Sequence, residues 1–138
     1  MHKAFTALLV AVMGLLTAFG GTWVTDLEKG INIARSDDKK VLIYFHTDTC
    51  PYCYQMEEFV LGDPEVDRYI GERFVVVSLS LNENRDIARR FGVFGVPYFV
   101  FYDPESGRVL MKIYGSRDRD DFLSLLSEVC KKSNLRRC

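Results

Sequence analysis

Val41-Leu42-Ile43-Tyr44-Phe45-His46-Thr47-Asp48-Thr49-Cys50-Pro51-Tyr52-Cys53 carries an apolar run into a pair of cysteines separated by two residues. Val41 to Phe45 suits a strand buried on both faces, because such strands read as near-continuous apolar runs. The cysteine pair follows where that strand hands over to a helix. A helix start offers unpaired backbone N–H groups and a positive dipole end. Both stabilise a thiolate on Cys50, drawing its pKa below the roughly 8.5 of a free thiol and making it the expected nucleophile. Cys53 lies one turn on, with its sulfur at the same end of the helix. It can attack the mixed disulfide that Cys50 forms with a substrate and release the product. Pro51 suits a first turn because it has no N–H to lose. A second reading makes the pair half of a zinc site. That site needs two further ligands; Cys130 and Cys138 are too widely spaced for a matching knuckle, and His2 lies in an N-terminal segment expected to be removed.

Downstream, Tyr52, Met56, Phe59 and Val60 recur at helical spacing, Gly62 can end that helix, and Asp63-Pro64 caps and starts another. Phe74 to Leu81 predicts a β-branched strand, Asn84 to Phe91 a short helix stopped by Gly92, and Tyr98 to Tyr102 a further strand. Asp103-Pro104-Glu105-Ser106-Gly107 has turn chemistry, so Val109 to Tyr114 should return antiparallel. A last helix begins near Asp118, with Phe122, Leu125, Leu126 and Val129 as its buried stripe and Lys131 and Lys132 at its negative end. Upstream, Thr25 and Glu28 are spaced to cap a helix reciprocally, and Leu27, Ile31 and Ala34 share a face to about Ser36. Phe45, Phe91, Phe94, Phe99 and Phe101 read as core. The fold class is α/β, with a mixed central sheet flanked by helices.

The chain has 138 residues, 48% of them hydrophobic, enough for one compact domain. Charged residues make up 27% and leave a formal net charge of -1, so no electrostatic footprint argues for nucleic acid or an anionic membrane surface. Residues 1–20 read as a signal peptide: His2 and Lys3 open it, Ala4 to Ala18 carry no charge, and Ala18 and Gly20 suit a cut before Gly21. Residues 21–138 form the domain. An uncleaved membrane anchor is the alternative, since the run approaches the roughly 17 to 20 residues that span a bilayer. Export, to a periplasm or beyond, would put the four cysteines where disulfides persist. Cys130 and Cys138 then read as a structural staple, with free thiols or intermolecular pairing as alternatives.

Val41 to Phe45 leading into Cys50-Pro51-Tyr52-Cys53, and Phe91-Gly92-Val93-Phe94-Gly95-Val96-Pro97 leading into Tyr98-Phe99-Val100-Phe101, together resemble the thioredoxin superfamily over nearly all of residues 23 to 131. Within it the chain looks most like small periplasmic thioredoxins and the C-terminal domain of the transmembrane thiol-reductant transporter. Pro51-Tyr52 is similar to the glutaredoxin dipeptide. The resemblance implies a thioredoxin-like fold, a cis Val96-Pro97 peptide facing the cysteines, and a substrate surface drawn from Val96, Pro97, Pro51 and Tyr52. It implies disulfide-containing exported proteins as substrates, a membrane thiol-reductant transporter as electron donor, and no cofactor or metal. Reduction is the expected direction. An oxidase or isomerase of the same fold stays open, as does a chaperone holding copper or zinc on Cys50, Cys53 and His46.

The chain departs from the family at three points. Thioredoxins commonly place a buried aspartate six residues before the first cysteine to take a proton from the second; here Tyr44 stands there, and a phenol near pKa ~10 is a poor base at neutral pH. The lysine that usually pairs with that aspartate is replaced by Ser78, leaving water as a substitute relay. His46 falls where a tryptophan is common. It reads either as a group tuning Cys50, since imidazole titrates near the working pH, or as a polar residue at a strand end. Asp48 and Tyr52 flank the pair and read either as shaping the substrate surface or as local loop and helix-start residues.

Overall fold

The computed structural model describes residues 21–138; the expected signal peptide lies outside these. Five strands form one sheet in the order β1-β3-β2-β4-β5, with β1 Trp23–Val24, β2 Lys40–His46, β3 Phe74–Ser80, β4 Tyr98–Asp103 and β5 Arg108–Tyr114. β1 and β2 run parallel to β3, while β4 is antiparallel to both β2 and β5. This is the expected mixed sheet. The β4–β5 hairpin closes through the expected turn, where Asp103 accepts from the N–H groups of Glu105 and Gly107. β1 is an element the sequence reading lacked. Two residues carry no periodicity, and they join the edge because Val76 N–H donates to the Thr22 carbonyl.

Side chains alternate across the sheet and split the core in two. Leu42, Tyr44, Val76, Phe99 and Phe101 face one helical layer, and Val41, Ile43, Phe45, Val75, Val77 and Val100 face the other. Helix α1, Leu27–Ser36, covers the second face. Its cap is Asp26, whose carboxylate accepts from Lys29 N–H at 2.8 Å, and not Thr25 as the spacing predicted. A one-residue shift suffices because either side chain can reach an orphan N–H, and the carboxylate also suits the positive helix end. Gly30 lets α1 approach β3 closely, since a Cβ there would run into Val77.

The first face is covered by the cysteine helix, by α3, Pro64–Arg73, and by α5, Arg119–Lys132. The cysteine helix starts as α2, Pro51–Gln55, then widens into a π-helical segment, Met56–Leu61. Gly62 closes it by donating to the Glu57 carbonyl, and a Cβ there would lie 2.8 Å from that oxygen. Wider winding alters which side chains point inward: Met56 and Val60 are buried, whereas Phe59 is 70% exposed despite its helical spacing. Asp63 caps α3 as expected, accepting from the N–H groups of Glu65 and Val66.

Helix α4, Arg85–Arg90, leads through Gly92, at φ +69, into the loop before β4. Phe94 on this loop is 73% exposed and does not join the core. It packs on Tyr98 and Tyr114, with ring centroids 5.6 and 4.6 Å away. Phe94 lies before β4 rather than in a strand, so the rule that buried strands read as apolar runs does not reach it. The other four phenylalanines are buried.

At the chain's end Cys130 and Cys138 are bonded, with Cα atoms 5.7 Å apart. Ser133 donates to the Cys130 carbonyl, and Arg137 reaches the carbonyls of Glu72 and Asp38, so the tail lies against α3 and the α1–β2 turn. Among the described residues no helix is long and apolar enough to cross a membrane.

Candidate active site

β2 ends at His46, and Thr47 to Thr49 carry the chain over to Cys50, which caps α2 in an extended conformation, φ -103 and ψ 102. Its sulfur accepts from Cys53 N–H at 3.1 Å. A cap normally accepts through a side-chain oxygen; here the sulfur takes that place. Once reduced, a thiolate at this position would keep the same donor and gain the positive end of the helix. Pro51 occupies the first turn as expected. Cys50 and Cys53 are bonded, with Cα atoms 5.2 Å apart and residue exposures of 7% and 1%. Of the two, Cys50 keeps the greater access to solvent.

Pro51 and Tyr52 are exposed beside the pair, and Tyr54 donates to the Asp48 carbonyl, holding the approach loop against the helix. The Val96-Pro97 peptide is cis, as the resemblance implied. Pro97 is buried at the head of β4, its carbonyl accepting from Gly115 N–H, while Val96 is half-buried. Gly95 lies against the Tyr114 ring, where a Cβ would come within 2.8 Å and push the ring aside.

His46 is held at 2.9 Å from the Ser78 hydroxyl, across the β2–β3 pair. The residue standing in for the family's lysine therefore engages the histidine. Tyr44 lies one step along on the same face, its ring 5.2 Å from that of His46 and stacked at 5.1 Å on Phe99. The Tyr44 hydroxyl is 3.2 Å from Glu57 Oε2. Burial, reinforced by the Glu57 carboxylate, pushes the phenol well above its ordinary value, so Tyr44 stays protonated and donates. Glu57 was missing from the sequence reading. The available signal was its position four residues after Cys53, about one turn further along the helix.

The family model described as a thioredoxin-like domain matches residues 27–129. The chain belongs to the thioredoxin-like family. A thioredoxin from Thermus thermophilus is 39% identical, with a TM-score of 0.77 covering 83% of this chain and 91% of that one. The C-terminal domain of DsbD from Neisseria meningitidis, in its oxidised form, shares the thioredoxin-like fold at 22% identity and a TM-score of 0.63, covering 73% of this chain and 90% of that one. Among curated proteins, the thiol:disulfide interchange protein DsbD of Ralstonia nicotianae is 23% identical over 106 residues, 75% of this chain and 17% of that protein. DsbD of Haemophilus ducreyi is 27% identical over 113 residues, 78% of this chain and 19% of that protein. The thioredoxin-like chain thus spans about a fifth of the length of these relatives.

Proposed function

We propose that this protein is an exported thiol-disulfide oxidoreductase that reduces disulfides in periplasmic or secreted proteins. The observation that carries the reading is the Cys53 N–H aimed at the Cys50 sulfur at the mouth of α2. In the proposed cycle the Cys50 thiolate attacks a substrate disulfide, forming a Cys50–substrate bond and expelling the other substrate sulfur as a thiolate. Cys53 then attacks Cys50, the Cys50–Cys53 bond forms, and the second substrate thiol leaves. Two electrons pass to the substrate, and the oxidised pair is the state seen here. Val96 offers its backbone to an extended substrate segment beside Cys50, with Pro97, Pro51 and Tyr52 shaping that surface.

Residues 1–20 act as a signal peptide cut before Gly21, and a membrane thiol-reductant transporter restores the dithiol. Likeness to the DsbD proteins supports the pairing with such a donor. The Pro51-Tyr52 dipeptide favours an oxidase or isomerase as the second reading, because glutaredoxins, at about -200 to -230 mV, are more oxidising than thioredoxin at about -270 mV. Equilibration with glutathione separates the directions: a potential near about -120 mV removes the reductase. Tight copper binding by the reduced protein, without reduction of a protein disulfide, would replace both with a metal chaperone. The direct test is Cys53→Ser in cells. Exported proteins trapped on Cys50 are expected, and an empty trap with the variant folded and abundant rejects the proposal.

A further inference from the structure

Reduction of a mixed disulfide leaves one step without a group to perform it. Cys53 must lose its proton before it can attack Cys50, yet it is 1% exposed, and a thiol buried in apolar surroundings holds its proton more tightly. The buried carboxylate expected six residues before Cys50 is absent, and the Tyr44 phenol in its place cannot accept a proton. The position nevertheless reaches a carboxylate. Tyr44 is 1% exposed and fixed by stacking on Phe99, which packs in turn on Phe122. Its hydroxyl meets Glu57, one turn beyond Cys53 on the same helix. Side chains four apart on a helix are neighbours, with Cβ atoms about 5–6 Å apart, and a proton can cross such a gap through one water. An exposed glutamate would otherwise leave its carboxylate in bulk solvent; the hydrogen bond from the buried tyrosine holds it against the protein.

We propose that Glu57 accepts the Cys53 proton during resolution of the mixed disulfide and that Tyr44 is the residue that positions it. The step balances: the Cys53 S–H proton passes to the Glu57 carboxylate, the Cys53 thiolate forms a bond to the Cys50 sulfur, and the substrate sulfur leaves with the electron pair of the broken bond. Glu57 then returns its proton to that leaving thiolate or to water. Other charged or titratable groups nearby are engaged elsewhere. His46 on β2 bonds Ser78. From the neighbouring helices, Asp63 and Glu65 are paired with Arg119. Arg117, whose N–H contacts Met56, turns its guanidinium to the carbonyls of Tyr114 and Ser116. Glu58, next along the helix, is exposed.

This inference rests on the disulfide-exchange reading, and one experiment separates the two. The protein, reduced mildly enough to spare Cys130–Cys138, is mixed with a chromogenic aromatic disulfide between pH 5 and 9. A first release of chromophore reports Cys50 attack and a second reports resolution by Cys53. In Glu57→Gln the second phase at pH 6 falls at least about tenfold and then rises in proportion to hydroxide, while the first phase stays within about twofold. Tyr44→Phe gives a smaller fall of the same phase, and Glu57→Asp restores part of the rate. Should Tyr44→Phe not fold, the exposed Glu57 variants carry the test alone. An unchanged second phase in Glu57→Gln overturns the proposal, as does equal slowing of both phases, the mark of a merely structural effect. Absence of any first phase in the unaltered protein overturns the oxidoreductase reading and this inference with it.

Discussion

Cys50–Cys53 and Cys130–Cys138 bridge similar spans, with Cα atoms 5.2 and 5.7 Å apart, but they occupy opposite ends of helices. Cys50 caps the start of α2, where an N–H donor meets its sulfur. Cys130 lies in the last turn of α5, at the negative end of its dipole, where the Ser133 N–H and hydroxyl both bond the Cys130 carbonyl rather than its sulfur. The dipole that favours a thiolate at the first site disfavours one at the second, with Lys131 and Lys132 offsetting part of that effect. Reactivity therefore follows from which end of a helix holds the sulfur. On this account the first pair carries electrons and the second pins the tail.

The comparison breaks most sharply on activity. Cys50→Ser should abolish reduction of a protein disulfide to the uncatalysed background, whereas Cys138→Ser should keep the rate per folded molecule; equal losses in a turbidity assay would erase the distinction. Graded reduction followed by alkylation and mass spectrometry sharpens it further. Cys50–Cys53 should open between about -200 and -270 mV, and Cys130–Cys138 only below about -300 mV, the range of structural disulfides. Co-reduction at one potential would count against separate roles. Stability comes next: Cys138→Ser opens a loop of nine residues, which chain-entropy arithmetic puts at about 2.5 kcal/mol, readable from the shift in the urea midpoint at constant slope.

How much of this contrast could be read from the chain depends on where periodicity and spacing apply. Val41 to Phe45 and the two residues between the cysteines place the strand, the helix start and the paired sulfurs almost without ambiguity, and Asp63-Pro64 places the next helix. Phe94 and Phe59 went astray for physical reasons, one on a loop with no period and the other on a helix that widens past Met56. Tyr44 was legible as a missing base. Its link to Glu57 was not, because the contact joins a strand to a helix across thirteen residues, with the ring held by stacking on Phe99. The Cys130–Cys138 bond could be guessed from export but was one pairing among several.

Two smaller effects test the scaffold around the pairs. Asp103 lies below the ordinary carboxylate range: burial alone would raise it, but Lys40, the Ser106 hydroxyl and the Glu105 N–H together outweigh that. A depressed folded pKa adds stability that is full above the unfolded value of about 3.9 and is lost as pH falls through the folded value. Asp103→Asn should therefore cost stability at pH 7 and flatten the acid limb below pH ~4, in denaturant curves taken across pH. Arg137→Ala, which removes exposed contacts from the tail to Glu72 and Asp38, should cost under about 1 kcal/mol while Cys130–Cys138 remains closed.

The most direct measurement of the central claim is the pH dependence of alkylation at each cysteine of the fully reduced, folded protein, resolved by peptide mass spectrometry. Cys50 should alkylate with a midpoint at about 7 or lower, and Cys130 at or above about 8.5. A Cys50 midpoint near about 8.5, matching an exposed free thiol, would contradict a sulfur anion stabilised by the start of α2.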